Sequence, residues 1–161
     1  MNKEQGLRNK DVVGVSVHAR SRIIQIASAE IGVREATGRN DGLRVEEYLQ
    51  YTGLGKGHEW CAAFVSWCYR QAGLSQPRNP WSPALFPQAR RYQSGVRAIL
   101  PADLFAIYGP AAKRINHVGI VQRHEGNYIR TIEGNSNNRV ESRRRHVRTL
   151  YVFADWASGS E

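Results

Sequence analysis

The sequence contains no long hydrophobic run. Its longest nearly apolar stretches, around Ala62 to Val65 and Leu104 to Ile107, are about five residues, against the roughly 20 needed to cross a bilayer. Stable membrane insertion through a helix is therefore not expected. The first twenty residues also lack the apolar stretch of about 7 to 15 residues that marks a secretory signal peptide. They mix Lys3, Glu4, Arg8, Lys10 and Asp11 with only the short run Val12 to Val17. No repeat, low-complexity block or dividing linker occurs. Cysteine is scarce, limited to Cys61 and Cys68, seven positions apart in a stretch that reads as one helix. Seven helical residues rise about 10 Å, beyond the roughly 7 Å that a disulfide spans between Cα atoms, so both are expected to be free thiols.

What is present is enough for one compact domain of 161 residues. The apolar share of 41% and charged share of 23% argue against disorder. A formal charge of +9 biases the protein toward polyanions such as nucleic acid, acidic lipid or an anionic cell envelope. Much of the excess falls late, at Arg139, Arg143, Arg144, Arg145 and Arg148. No zinc ligands, aromatic RNA platform or helix-turn-helix accompanies it, so a nucleic-acid-binding module is disfavoured and a solvated basic face is the plainer reading.

Helical spacing of Ile23, Ile24, Ala27 and Ile31 predicts an amphipathic helix over 21–33. A second short helix is expected over 43–51. The clearest helix is 60–72, with Cys61, Phe64, Val65, Cys68 and Ala72 on one face and Gly73 closing it. A loop with four prolines follows between Gln76 and Gln88 and carries Trp81 and Phe86. Strands are predicted over 104–108, 115–122, 128–133 and 147–153. Helices first and strands after indicate an α+β domain with N-terminal helices packed on an antiparallel sheet.

Cys61 lies in the first turn of its helix, where unpaired N–H groups and the helix dipole favour a thiolate. Cys68, two turns deeper, reads as a small buried apolar residue. Along the strand 115–122, alternation puts Val118 and Ile120 on one face and His117, Gly119 and Val121 on the other. Gly119 beside His117 suggests room for a backbone or ligand to approach. If the hairpin turns near Glu125, Gly126 and Asn127, paired positions sum to about 250 to 252, and His117 faces residues 133 to 135. There Glu133 or Asn135 can orient the imidazole, which is what a Cys–His pair requires. Such a group of residues points to nucleophilic hydrolysis, with Cys61 as nucleophile and His117 as general base. His58, Trp60 and Trp81 are the candidate substrate-binding residues, Trp81 for an aromatic face that packs on sugar or peptide. His124 and His146 read as exposed, and Asp103 as organising a strand entrance.

The stretches Glu59-Trp60-Cys61-Ala62-Ala63-Phe64-Val65-Ser66-Trp67, His117-Val118-Gly119-Ile120-Val121 and Glu133-Gly134-Asn135, in that order, resemble the CHAP family of cysteine, histidine-dependent amidohydrolases and peptidases. Ile31 to Glu35, Asn40-Asp41-Gly42 and Tyr48-Leu49 resemble its lead-in, and together these cover roughly residues 20 to 155. The resemblance implies a papain-like fold and hydrolysis of an amide in the peptidoglycan stem peptide, by endopeptidase or N-acetylmuramoyl-L-alanine amidase action, with the roles carried on Cys61, His117, Glu133 and Asn135. The sequence departs from the family at Pro101-Ala102-Asp103-Leu104, where a Gly-Asp pair is common. It also lacks the acidic calcium-binding loop of some phage members, so no metal or other cofactor is expected.

The expected organisation is an N-terminal extension over 1–19, poorly ordered, a catalytic domain over 20–156 and a tail over 157–161. A basic hydrolase with no signal peptide is expected to be made in the cytoplasm and to reach the bacterial wall by another route. It would serve as a phage lysin or as a secreted antibacterial effector with a neutralising immunity protein. Monomer is the expected state. The alternatives are a non-catalytic wall-binding or structural module, and a hydrolase of a non-wall amide.

Overall fold

The computed structural model describes residues 3–159, with side chains from Ser16 onward. Three helices precede the sheet: α1 (Lys3–Ala29), α2 (Leu43–Tyr51) and α3 (Cys61–Gln71). Six strands follow: β1 (Arg91–Tyr92), β2 (Leu104–Gly109), β3 (Arg114–Glu125), β4 (Tyr128–Ser136), β5 (Arg139–His146) and β6 (Val152–Ala154). They form one antiparallel sheet in the order β1-β6-β2-β3-β4-β5. The α+β class with helices on an antiparallel sheet is therefore as expected.

The sheet separates two apolar layers. Phe64, Val65 and Cys68 of α3 pack with Tyr48 and Leu49 of α2 and with Val118, Ile120 and Ile132 of the sheet. Phe105, Val121, Ile129 and Phe153 form a smaller layer with Ile99 on the other face. This is the alternation read for β3, now with both faces covered. Gly134 lets α3 approach: a Cβ there would lie 2.7 Å from the Cβ of Phe64.

The chain differs from expectation at five places. Helix α1 runs back to Lys3 instead of beginning near Ser21, because residues 3 to 20 hold no proline and only Gly6 and Gly14 as weak breakers. No break in the backbone sets off an extension at residue 19, and Arg20 anchors the helix, donating to Asp103 Oδ1 at 2.9 Å and Asp155 Oδ1 at 2.8 Å. At the other end, Ala157 is buried and Ser158 Oγ accepts from Arg20 at 2.7 Å, so packed structure passes residue 156. Residues 1–2 and 160–161 lie outside the described residues.

The third difference is β5. The arginine run read as a solvated face is an edge strand paired with β4 from Tyr128↔His146 to Ser136↔Arg139. Its side chains are mostly polar because little covers that edge, so the apolar alternation that marks a strand is missing. The last expected strand, over 147–153, is instead a 3₁₀ turn at Val147–Thr149 followed by the short β6. The two-residue β1 went unpredicted for want of length.

Candidate active site

Helix α3 begins at Cys61, with Trp60 at its N-cap making no side-chain cap bond. Its first-turn N–H groups are thus free to act on a neighbouring anion. Burial pushes the Cys61 thiol up, but hydrogen bonding and charge from His117, then Ser82 and the Val118 backbone, more than offset it, and the thiol lies below its ordinary value. Cys68, on the same helix, has no such partners and burial drives it well up.

His117 enters the site from β3, and its Nε2 lies 2.8 Å from Glu133 Oε1. Burial alone would lower its pKa. The Cys61 and Glu133 contacts outweigh that and raise it to about 9. The pair is thus biased toward thiolate and imidazolium, the charge-separated form that makes a reactive cysteine.

The register decides between the two orienting candidates. Ile120↔Ile132 and Val121↔Thr131 sum to 252, the upper end of the expected range. Glu133 sits diagonally from His117 on the same face and reaches its ring. Asn135 has φ +56° and lies where the β4–β5 register slips, and it is not the histidine's partner. Glu133 is fully buried and must be held as an anion. Burial would push it up, yet Arg145 donates to both its oxygens at 2.8 Å, with His117 and Thr131 adding to the effect, and its pKa falls to about 2. A bidentate guanidinium at a buried carboxylate supplies charge and fixed geometry together.

Sequence reasoning missed two members of this site. Arg145 was assigned to a solvated run, and recognising β5 would have placed Arg143 and Arg145 on the face of Thr131 and Glu133. Ser82 is the other, its buried Oγ 3.3 Å from Cys61 Sγ. It opens a 3₁₀ turn, Ser82–Leu85, inside the proline-rich loop. The loop is pinned before the turn and at its end: Asn79 N–H donates to Ser66 Oγ of α3 at 3.1 Å, and Trp156 Nε1 donates to Leu85 O at 2.9 Å. Nothing in the sequence separates Ser82 from other loop serines.

Among the substrate candidates, Trp60 needs correction. Its ring is fully buried, stacked on Tyr48, and its Nε1 donates to Glu35 Oε1 at 2.9 Å, so it is part of the core beneath the site. An aromatic residue beside the nucleophile reads equally as core or groove until its indole partner is known. His58 and Trp81 are both exposed, in the chain leading to Cys61 and next to Ser82 respectively. The space suggested by Gly119 is filled by this protein's own side chains: a Cβ there would lie 2.5 Å from the Phe105 ring and 2.9 Å from Glu133 Cγ. Asp103 is fully buried at the entrance of β2 and accepts from Arg20, Tyr92 and Arg97.

A helix-borne thiol, a strand-borne imidazole and a buried carboxylate thus meet on an α+β scaffold. The CHAP domain model matches residues 53–135, more than half the chain, and the protein belongs to the CHAP family. Solved structures of similar fold include NlpC1 from Trichomonas vaginalis, with 14% identity, TM-score 0.53 and coverage of 85% of this chain and 44% of that one. The peptidoglycan hydrolase RipB from Mycobacterium tuberculosis shows 15% identity and TM-score 0.57 over 88% of this chain and 66% of its own. The P60 domain of an antigen from M. avium paratuberculosis shows 15% identity and TM-score 0.56 over 92% and 97%. The chain thus spans less than two thirds of the first two. No curated protein sequence matches it.

Proposed function

We propose that this protein is a cysteine hydrolase that cleaves an amide bond of the peptidoglycan stem peptide, as an endopeptidase or an N-acetylmuramoyl-L-alanine amidase. The observation that carries the chemistry is the contact of His117 Nε2 with the buried Glu133 carboxylate at 2.8 Å, on the imidazole that also acts on Cys61. Family membership and the similar fold of the peptidoglycan hydrolase RipB support the substrate class.

In this reading the Cys61 thiolate attacks the amide carbonyl carbon, and the electron pair of the C=O moves to oxygen. The Cys61 backbone N–H at the start of α3 faces that oxyanion. The His117 imidazolium gives its proton to the leaving nitrogen as the C–N bond breaks, leaving a thioester. Neutral His117 then takes a proton from water, whose oxygen attacks the thioester carbonyl. Cys61 departs as thiolate, and the acid is released. Ser82 donates to the resting thiolate, and Glu133, clamped by Arg145, keeps the imidazole in its working orientation. Exposed Trp81 and His58 flank the approach of the stem peptide.

The test is mass spectrometry of soluble fragments after incubating purified Gram-negative and Gram-positive peptidoglycan with the wild type and with Cys61→Ala. New fragments from the wild type alone are expected: free stem peptide from an amidase, a cut within the peptide from an endopeptidase. Release by neither protein would overturn the wall assignment. A phage lysin and a secreted effector would both be delivered to the wall, and a neutralising protein that binds this chain and blocks the reaction would mark the effector setting.

A further inference from the structure

The far end of the β3–β4–β5 ribbon, on the face opposite Glu133, carries three arginines in one cross-strand row. Val121 pairs with Thr131 but Arg123 pairs with Arg130, so Gln122 is the extra residue of a β-bulge. Had the earlier register continued, Arg123 would oppose Ile129 on the other face. The bulge turns it to stand beside Arg130, which in turn pairs with Arg144. Neighbouring strands are about 4.8 Å apart, and like charges directly opposite each other in a sheet are destabilising.

Among the described residues one carboxylate and one aromatic ring offset part of this row. Glu125 is paired with Arg123, and its carboxyl is held below the usual range by that bond, with Arg130 and Arg144 acting in the same direction. Arg144 lies over the Tyr128 ring at 3.6 Å. Arg130 Nε is buried and has no hydrogen-bond partner. The adjoining row holds Tyr128 and His146, in edge contact at 4.9 Å. A bulge that assembles three like charges, one with an unsatisfied donor, marks a site completed by an anion.

We propose that this face binds a linear chain of phosphate groups. A phosphate presents several oxygens and can bridge two guanidiniums 4.8 Å apart, whereas a carboxylate's two oxygens match a single fork. Three arginines in series span about 10 Å across the strands, which suits consecutive anionic centres rather than one isolated ion. Single-stranded nucleic acid is less suited, because its bases need open aromatic faces and Tyr128 is already covered by Arg144 and abutted by His146. A bilayer is less suited too, since none of the exposed large hydrophobic residues among those described lies on this ribbon. The inference does not depend on the hydrolase reading.

The experiment is binding of labelled inorganic polyphosphate, followed by fluorescence anisotropy over a salt series. The proteins are the wild type, the triple variant R123Q/R130Q/R144Q, and a control triple R22Q/R39Q/R70Q that removes equal charge from exposed positions elsewhere. With three phosphate contacts the wild type should show a log–log salt slope of about −2, at roughly 0.7 per contact. The site triple should lose nearly all of that slope and on the order of 30-fold in affinity at low salt, and the control less than about threefold. Without ligand the site triple should melt above the wild type, and polyphosphate should raise the melting temperature of the wild type alone. Equal losses in both triples would reduce the effect to net charge and overturn the site. Tighter binding of a single-stranded oligonucleotide of equal charge, or of anionic vesicles, would overturn the phosphate-chain assignment. If circular dichroism shows the site triple unfolded, Arg123→Gln alone must lower the slope by about 0.7, and an unchanged slope overturns the proposal.

Discussion

At Cys61 opposing effects act within a few ångströms. Burial disfavours the thiolate, and His117, Ser82 and the Val118 backbone favour it strongly enough to win. Iodoacetamide labelling against pH should therefore modify Cys61 at a lower pH than an ordinary thiol, while Cys68, buried and shifted upward, stays unlabelled in the folded protein. Ser82→Ala should raise the pH of half-maximal labelling and slow labelling near neutrality several-fold with little change in melting temperature. An unchanged pH profile would mean that the 3.3 Å contact does not act on the thiolate. Wall-hydrolysing activity should be bell-shaped in pH: the acid limb follows thiolate formation, and the alkaline limb follows loss of the imidazolium near 9. Glu133→Gln should move the alkaline limb down toward an ordinary histidine and lower turnover on the order of 10⁴-fold, by analogy with orienting carboxylates generally. It should also change acid stability. Glu133 is held at about 2, so its contribution is fully present above the ordinary carboxylate value of 4.5 and is lost as pH falls through about 2. Thermal melts of wild type and Glu133→Gln should thus differ most above about pH 4.5 and converge toward pH 2.

Among the elements, β3 does two jobs because its register changes midway. Before Gln122 it presents His117 and Gly119 to Glu133, and after it presents Arg123 to Arg130. Gly119 is required by close packing, since a Cβ there overlaps Phe105 and Glu133. Gly119→Ala should cost about 1–3 kcal/mol through overpacking. It should also shift the pH profile of Cys61 labelling, because the carboxylate has to move. A stability loss without that shift would show that Phe105 alone absorbs the strain. The proline-rich loop is equally specific in its effect: anchored to α3 at Ser66 and to the C-terminal segment at Trp156, it holds Ser82 in place against the thiol.

Over the whole molecule, a buried ionic cluster ties the first helix to the sheet. Arg20 of α1 and Arg97 both bridge Asp103 at the start of β2 and Asp155 after β6, four contacts of 2.6 to 2.9 Å. Arg97 and neighbouring bonds hold Asp155 at about 2 against the upward pull of burial. Arg20→Met would leave both carboxylates with half their charge partners and should destabilise the fold by about 3 kcal/mol, read as a lower urea midpoint with an unchanged slope. Activity per folded molecule should persist, since no member of the cluster reaches Cys61. The sequence by itself determined the α+β order, the nucleophile's place at a helix start, and His117 with Glu133 as one of two possible orienting residues. These are legible because helical and strand periodicities and hairpin counting act over a few residues. Tertiary structure alone decided that Glu133 and not Asn135 meets the histidine, that Trp60 is core, that Ser82 and Arg145 complete the site, and that an arginine run is a strand. Each of those depends on which distant segments are brought within hydrogen-bonding reach. A serine in a proline loop and an arginine on a polar edge strand carry no local pattern that records it.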